Sequence, residues 1–241
     1  MLTLDQKRRY ARNIMLSGIG ESGQERLLAS KVLVVGAGGL GSALLSYLSA
    51  SGIGTIGIVD ADRVEQSNLQ RQIIHEHADI GRLKVESAKD RISELNLDVK
   101  VEIFPDRLCN QNADTILSSY DIVADGCDNF ETRFLVADGC AKLHKTLVSA
   151  AVKGFDGQLS TFKPFLGEPH PSYHDLVHEL PINPDNCSET GVLGSICGIL
   201  GSMQATEIIK EILGIGQSLS GTLIRYNALA QTFKKSSIIR P

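Results

Sequence analysis

Residues 32–35 form an apolar run that feeds directly into Gly36, Gly38, Gly39 and Gly41, and Leu40, Leu44, Leu45 and Leu48 then recur on one side of a helix. This reads as strand, glycine turn and helix. In such a turn Gly36 permits the tight bend, Gly38 lets the backbone approach a phosphate, and Gly41 lets the helix settle on the strand. The free N–H groups at the helix start then face bound anionic oxygens. A second apolar stretch, 55–59, ends in Asp60. Asp60 lies about 20 residues beyond the last glycine, the position at which an acid meets ribose hydroxyls. Glycine-rich turns also arise for steric reasons alone. The strand before, the helix after and the acid at the right distance together point to a nucleotide.

A chain of 241 residues with 42% hydrophobic content can bury one full core. The expectation is one α/β unit over 1–241: a Rossmann-like, mostly parallel sheet flanked by helices. Within it, 1–30 reads as a helical arm, 31–153 as the nucleotide-binding core, and 154–241 as an antiparallel extension with a crossover loop and a long helix. A net charge of −4 with scattered basic residues excludes a broad field for nucleic acid. Glycines interrupt the most apolar segment and the N-terminus MLTLDQKRRY lacks an apolar core, so neither a membrane span nor a signal peptide is expected, and the reading is cytoplasmic. Cys109, Cys127, Cys140, Cys187 and Cys197 include no CxxC pair. Neither a disulfide framework nor a four-cysteine zinc site is indicated.

Residues 3–13 look helical with Thr3 as cap, and Lys7, Arg8, Arg9 and Arg12 cannot all face a core. Gly18, Gly20 and Gly23 should break the chain before a short helix over 24–29. Beyond Asp60, segment 64–77 is too polar for a core helix and far longer than the usual α/β connection of about 2 to 6 residues. It lies past the carboxyl end of a strand, where open α/β sheets bind ligands. The spacing of Val85, Ala88, Ile92 and Leu95 predicts a surface helix over 82–95. Lys84 in its first turn is either held by an anion or simply solvated. Next come a strand over 99–103, a helix over 112–118 and a strand over 121–124. That strand runs into ADGCDNFETR, where Asp125, Asp128 and Glu131 make the densest acidic group. Asp128 and Asn129 suit helix capping, and Asp128 also suits Mg²⁺, which is held by one or two carboxylates plus phosphate oxygens. A helix over 133–143 and a strand over 146–151 complete the alternating pattern.

From 154 the pattern changes to antiparallel strands, with a turn expected at Asp156 and Gly157. Pro169, Pro171, Pro181 and Pro184 make 166–191 a long loop. His170, His174 and His178 in this loop are spaced like a helical zinc pair, but the prolines argue against a helix through them. Cys187 is the cysteine expected to be exposed, either as a low-pKa thiol near a helix N-terminus or as a passive loop residue. A long helix over 192–213 carries Gly194, Gly198, Gly201 and Ala205 at helical spacing, suited to close packing on the sheet or on another subunit. Gln204, Glu207, Lys210 and Glu211 interrupt its apolar run. Strands over 222–226 and 231–234 close the fold.

Taken together, Arg12 in RYARNIML, the GAGGLG turn, Asp60 in IVDAD, the run SNLQRQ, Lys84 in IGRLKVESAKD and Asp128 in DGCDNFETR closely resemble the bacterial ubiquitin-activating-type adenylyltransferases that activate sulfur carriers for molybdopterin and thiamine. The resemblance spans residues 5 to 235. It implies ATP-dependent adenylation of the C-terminal glycine carboxylate of a small ubiquitin-like carrier ending in Gly-Gly. Asp60 would hold the ribose, Arg71 and Lys84 the phosphates, Asn68 and Gln72 would shape the pocket, and Asp128 would hold Mg²⁺. Arg12 would reach into the site of a second subunit, which requires a homodimer. Cys187 matches a loop cysteine that takes part in sulfur or acyl transfer in some members. The zinc-binding CxxC of many relatives is missing: the phrase after GEP reads HPSYHD, so structural zinc is not expected. The sulfur donor is expected to be a separate protein. The alternatives are a noncatalytic carrier-binding scaffold, a specialised peptide as substrate, or a nicotinamide-dependent oxidoreductase, in which SNLQRQ and the Lys84 segment would have no role.

Overall fold

A computed structural model describes residues 1–178 and 191–239. Cys187, Pro181 and Pro184 fall outside the described residues, and so does part of the expected crossover loop. The arm comprises α1 (Leu4–Arg9), α2 (Ala11–Ile14) and α3 (Gly20–Ala29). Thr3 caps α1 as expected, its hydroxyl accepting from the Gln6 N–H while the Gln6 side chain accepts from the Thr3 N–H. The chain breaks at 15–19 with Gly18 in the turn, as expected, but Gly20 already begins α3 and Gly23 does not break it. Gly23 lies inside α3, where a side chain would press on Ile19 and Leu213. Tertiary packing there outweighs glycine's poor helix propensity of about 1 kcal/mol.

The core alternates β1 (Lys31–Val35), α4 (Gly39–Ser51), β2 (Thr55–Val59), α5 (Lys84–Leu95), β3 (Lys100–Phe104), α6 (Ala113–Ser118), β4 (Ile122–Asp125), α7 (Phe130–Lys142) and β5 (Thr146–Lys153). The remaining elements are β6 (Asp156–Phe162), α8 (Gly194–Leu213), β7 (Thr222–Asn227) and β8 (Thr232–Ser237). The eight strands of the described residues join one sheet in the order β3-β2-β1-β4-β5-β6-β7-β8. The first five are parallel and the last three antiparallel, which is the mixed Rossmann-like sheet expected. β1 alternates between two cores: Val32 and Val34 point to the layer of α4, α5 and α8, and Leu33 and Val35 to the layer of α6 and α7. Burial on both faces explains why its sequence is a continuous apolar run.

Three details differ from the sequence expectation. The β5–β6 turn is at Gly154 and Phe155, with Gly154 at φ +59°. Asp156 and Gly157 instead lie in β6, and a side chain at 157 would strike Leu200. β8 runs on to Ser237 although its side chains are exposed, because it pairs with β7 along its whole length. Gln204 and Glu207, read as polar interruptions of α8, are buried. The Gln204 amide donates to the carbonyls of Asp125 and Val148, and Glu207 accepts from Thr161 and the Leu219 N–H. Gly201 is where α8 meets α4, since a side chain there would come within 2.5 Å of the Leu40 carbonyl oxygen, whereas Gly198 faces open space. Among the described residues no helix is long and apolar enough to cross a membrane.

Candidate nucleotide site at the sheet switch point

β1 lies between β2 and β4, so the chain turns to opposite sides of the sheet on either side of it, and a crevice opens at the carboxyl ends of β1 and β4. The glycine turn occupies that crevice. Gly36 has φ +100° and lies against Gly126 of the loop after β4, whose carbonyl oxygen would be 3.2 Å from any added side-chain carbon. Gly41 admits no side chain either: an added carbon would sit 2.1 Å from the Gly36 carbonyl oxygen, so the turn could not fold back on its helix. Gly39 is covered by Cys197 at the start of α8 and by the stem of Arg71. Gly38 differs. Among the described residues, a carbon added there would meet only the Gln72 amide nitrogen, in ordinary contact at 3.7 Å, which leaves more room than at the other glycines of the turn.

Asp60 ends β2 and one of its oxygens accepts from the Ala37 N–H at 2.8 Å, the other from the Asp62 N–H at 2.8 Å. Burial raises its pKa, and Lys84 works in the opposite direction. Lys84, the first residue of α5, is buried and its ammonium donates to Asp62 at 2.9 Å. The anion holding it within the chain is therefore an exposed carboxylate, one that a phosphate could replace. Segment 64–77 remains irregular, with single 3₁₀ turns at Gln66–Asn68 and His77–Asp79. Asn68 is buried and its side-chain oxygen accepts from the Glu65 N–H at 3.1 Å, so it shapes the turn that presents Arg71 and Gln72. Arg71 donates to the Ser67 carbonyl at 3.2 Å and packs across Gly194. Gln72 is buried, and its side-chain oxygen has no partner among the described residues. An unpaired buried amide is costly by about 1 to 3 kcal/mol; next to the open Gly38, it marks a place where a polar ligand fits.

The loop after β4 separates the acids that the sequence groups together. Asp125 is no metal candidate: it is buried and pairs with Arg133 at 3.1 Å, while Ser149 donates to it at 2.8 Å and the Cys127 thiol and N–H also donate to it. Burial alone would pull Arg133 down, but Asp125 prevails and holds the guanidinium charged. Arg133 also donates to the carbonyls of Cys127 and Ala150, which fixes the loop's path. Asn129 is the cap of α7, accepting from the Thr132 N–H at 2.9 Å. Asp128 is left exposed, two residues past the Gly126 that abuts Gly36. Burial and then Asp125 push the Cys127 thiol well above its usual range, which disfavours the thiolate. Among the described residues no group of three His, Cys, Asp or Glu side chains is placed to hold a metal ion. His174 instead bonds Asp138 at 2.7 Å and His170 bonds Ser220 at 2.8 Å.

The structure thus brings Gly36, Gly38, Gly39, Gly41, Asp60, Arg71, Gln72 and Lys84 together, with Asn68 behind them and Asp128 at the rim. Arg12 is exposed on α2 and is not among the side chains that touch the turn. Sequence reasoning missed His75 and Ser87. His75 is 5% exposed, and its Nε2 lies 3.0 Å from the Ala37 carbonyl oxygen and its Nδ1 2.8 Å from the Ser87 hydroxyl. Nothing in the run IIHEH distinguishes this histidine from the exposed His77 two residues on.

A Mg²⁺-nucleotide fits this donor set: room over Gly38, a buried Gln72 oxygen without a partner among the described residues, the Arg71 and Lys84 side chains, and the Asp60 and Asp128 carboxylates. The chain is 47% identical over 238 residues to a probable molybdopterin-synthase adenylyltransferase of Porphyra purpurea, covering 98% of this chain and 62% of that one. It is 44% identical over 242 residues to the sulfur carrier protein adenylyltransferase of Thermus thermophilus, covering 99% of this chain and 89% of that one. The crystal structure of E. coli MccB with ATP shares the fold, with a TM-score of 0.81 at 22% identity, over 97% of this chain and 72% of that one. The ThiF family model matches residues 10–241, and the chain belongs to the ThiF family.

Proposed function

We propose that this chain is an ATP-dependent adenylyltransferase that activates the C-terminal glycine carboxylate of a small ubiquitin-like sulfur-carrier protein. Two facts support the reading: the similarity to the Thermus sulfur carrier protein adenylyltransferase along most of that protein's length, and the convergence of Asp60, Arg71, Gln72 and Lys84 on an open glycine turn. That convergence carries it.

Asp60 receives the ribose hydroxyls, and the free amides of the turn receive phosphate oxygens. A carrier carboxylate with a pKa of about 4 is already ionised at neutral pH, so its attack on the ATP α-phosphorus needs no general base. The carboxylate oxygen forms a bond to phosphorus, the bond to the bridging oxygen breaks, and pyrophosphate leaves with that electron pair. What the protein must supply is charge neutralisation. Arg71 and Lys84 are preorganised for it, and removing one such donor reduces kcat by roughly a hundred- to a thousandfold. Bound Mg²⁺, held through Asp128, would offset further charge on the phosphates. Arg12 serves a neighbouring subunit in a homodimer, and Met15 and Leu16 beside it are large apolar side chains exposed to solvent as a contact surface would be.

Carrier-dependent release of pyrophosphate from ATP and Mg²⁺, assayed with candidate carriers ending in Gly-Gly, tests the proposal. Release with one carrier and none with its Gly-Gly-truncated form is expected. Tight binding of carriers with no release from any of them would make the chain a scaffold. The same assay, run with molybdopterin-type and thiamine-type carriers and with free peptides, assigns the substrate.

A further inference from the structure

Ala37 lies between the first two glycines of the turn, and both of its backbone polar groups are held by side chains. Its N–H donates to Asp60, and its carbonyl oxygen lies 3.0 Å from His75 Nε2. A carbonyl oxygen can only accept, so Nε2 carries a proton whether the ring is neutral or charged. His75 Nδ1 lies 2.8 Å from the Ser87 hydroxyl oxygen, which is in turn 2.7 Å from Asp79. In the neutral ring Nδ1 accepts from Ser87, which selects the Nε2–H tautomer; in the charged ring Nδ1 donates to Ser87 and the hydroxyl donates to Asp79. The bond to Ala37 survives in both states.

The Ala37 carbonyl and the Gly38 N–H belong to one planar trans peptide and point in opposite directions. Pinning the carbonyl inward on His75 therefore aims the Gly38 N–H outward, at the glycine of the turn with the most room above it among the described residues, and that N–H has no partner among them. We infer that His75 is a positioning residue of the nucleotide site: it fixes the Ala37–Gly38 peptide so that the Gly38 N–H donates to a bound phosphate. This deepens the adenylyltransferase reading and rests on it for the identity of the phosphate. The Ser87 hydroxyl has one proton to give, to Nδ1 beside the neutral ring and to Asp79 beside the charged one.

The test is calorimetric titration of MgATP into the full chain carrying His75→Leu, His75→Asn or His75→Gln, together with the ¹⁵N spectrum of the labelled wild-type imidazole. A glutamine amide reaches the position of Nε2, whereas an asparagine amide reaches only that of Nδ1. His75→Leu and His75→Asn should weaken MgATP binding by roughly ten- to a hundredfold, the worth of one hydrogen bond to a charged group. His75→Gln should keep most of the affinity, and carrier binding should be unchanged in all three. Should His75→Leu not fold, the asparagine and glutamine variants still decide the matter, since equal affinities in the two overturn the inference. The imidazole spectrum should show Nε2 protonated, with or without nucleotide; a ring protonated on Nδ1 alone overturns it as well. If the wild-type chain itself fails to bind MgATP, the nucleotide reading falls, and the tautomer spectrum still reports separately whether His75 holds Ala37.

Discussion

Asp60 and Asp125 stand at the carboxyl ends of β2 and β4, on either side of β1, and they have opposite fates. Asp125 is enclosed by Arg133, Ser149 and Cys127, with its oxygens fully engaged inside the chain. Asp60 accepts two backbone N–H groups and has Lys84 as its nearest opposing charge, but it remains at the mouth of the crevice. The difference lies in the segment that leaves each strand. After β4, α7 begins almost at once and returns Arg133 to the strand end; after β2, a long irregular segment loops away before Lys84 comes back. A carboxylate closed over by its own chain organises a loop, whereas one left partly open can meet a ligand.

The comparison breaks most visibly at Asp125. Asp125→Ala leaves Arg133 buried without an opposing charge, and stability should fall by about 3 to 5 kcal/mol, measured by urea denaturation. A loss under about 1 kcal/mol, the scale of an exposed pair, would mean that Asp125 is as free as Asp60.

Asp60→Asn should do the reverse. Burial raises the folded pKa of Asp60, so ionisation of the native carboxyl is disfavoured and its contribution to stability declines as pH rises through the raised value. At neutral pH the asparagine removes the desolvated charge but has one oxygen for the two N–H groups the carboxylate accepts, so the opposed effects should leave a smaller loss of stability than that of Asp125→Ala. MgATP binding should weaken by about 1.5 to 3 kcal/mol through loss of a charged acceptor. A large drop in stability with normal nucleotide binding would give Asp60 the structural role instead.

A smaller effect concerns His75, whose ring faces Asp79, Lys84 and Asp60. Burial lowers its pKa below the usual 6.5. Between the lowered value and 6.5 the unfolded chain binds more protons than the folded one, so stability is lost as pH falls through that window. The wild-type chain should show this decline, and His75→Gln should flatten it; identical acid profiles for the two would refute it.

The strand, turn and helix around Gly36 were legible because three independent constraints coincide within one stretch: an apolar run, the glycine spacing and an acid at the end of the next strand. The parallel core and its antiparallel extension were legible for the same reason, since the period of apolar residues changes where the architecture does. Pairings formed by folding back were not. Nothing in DGCDNFETR says that Arg133 returns to Asp125 and so withdraws it from the acidic group, and a buried histidine in a polar loop has no periodicity to reveal it. Gln204 and Glu207 read only as polar interruptions of an apolar helix because their partners, the Asp125 and Val148 carbonyls, Thr161 and the Leu219 N–H, lie on distant elements. Gly23 looked like a breaker because the packing that holds it comes from Leu213.

The most direct measurement is calorimetric titration of the purified chain with MgATP and, separately, with NAD, repeated on Lys84→Ala. The account predicts a saturable MgATP isotherm that is lost or strongly weakened in the variant, with no comparable binding of NAD. Preferential binding of NAD, or MgATP binding of equal strength without Lys84, would contradict it.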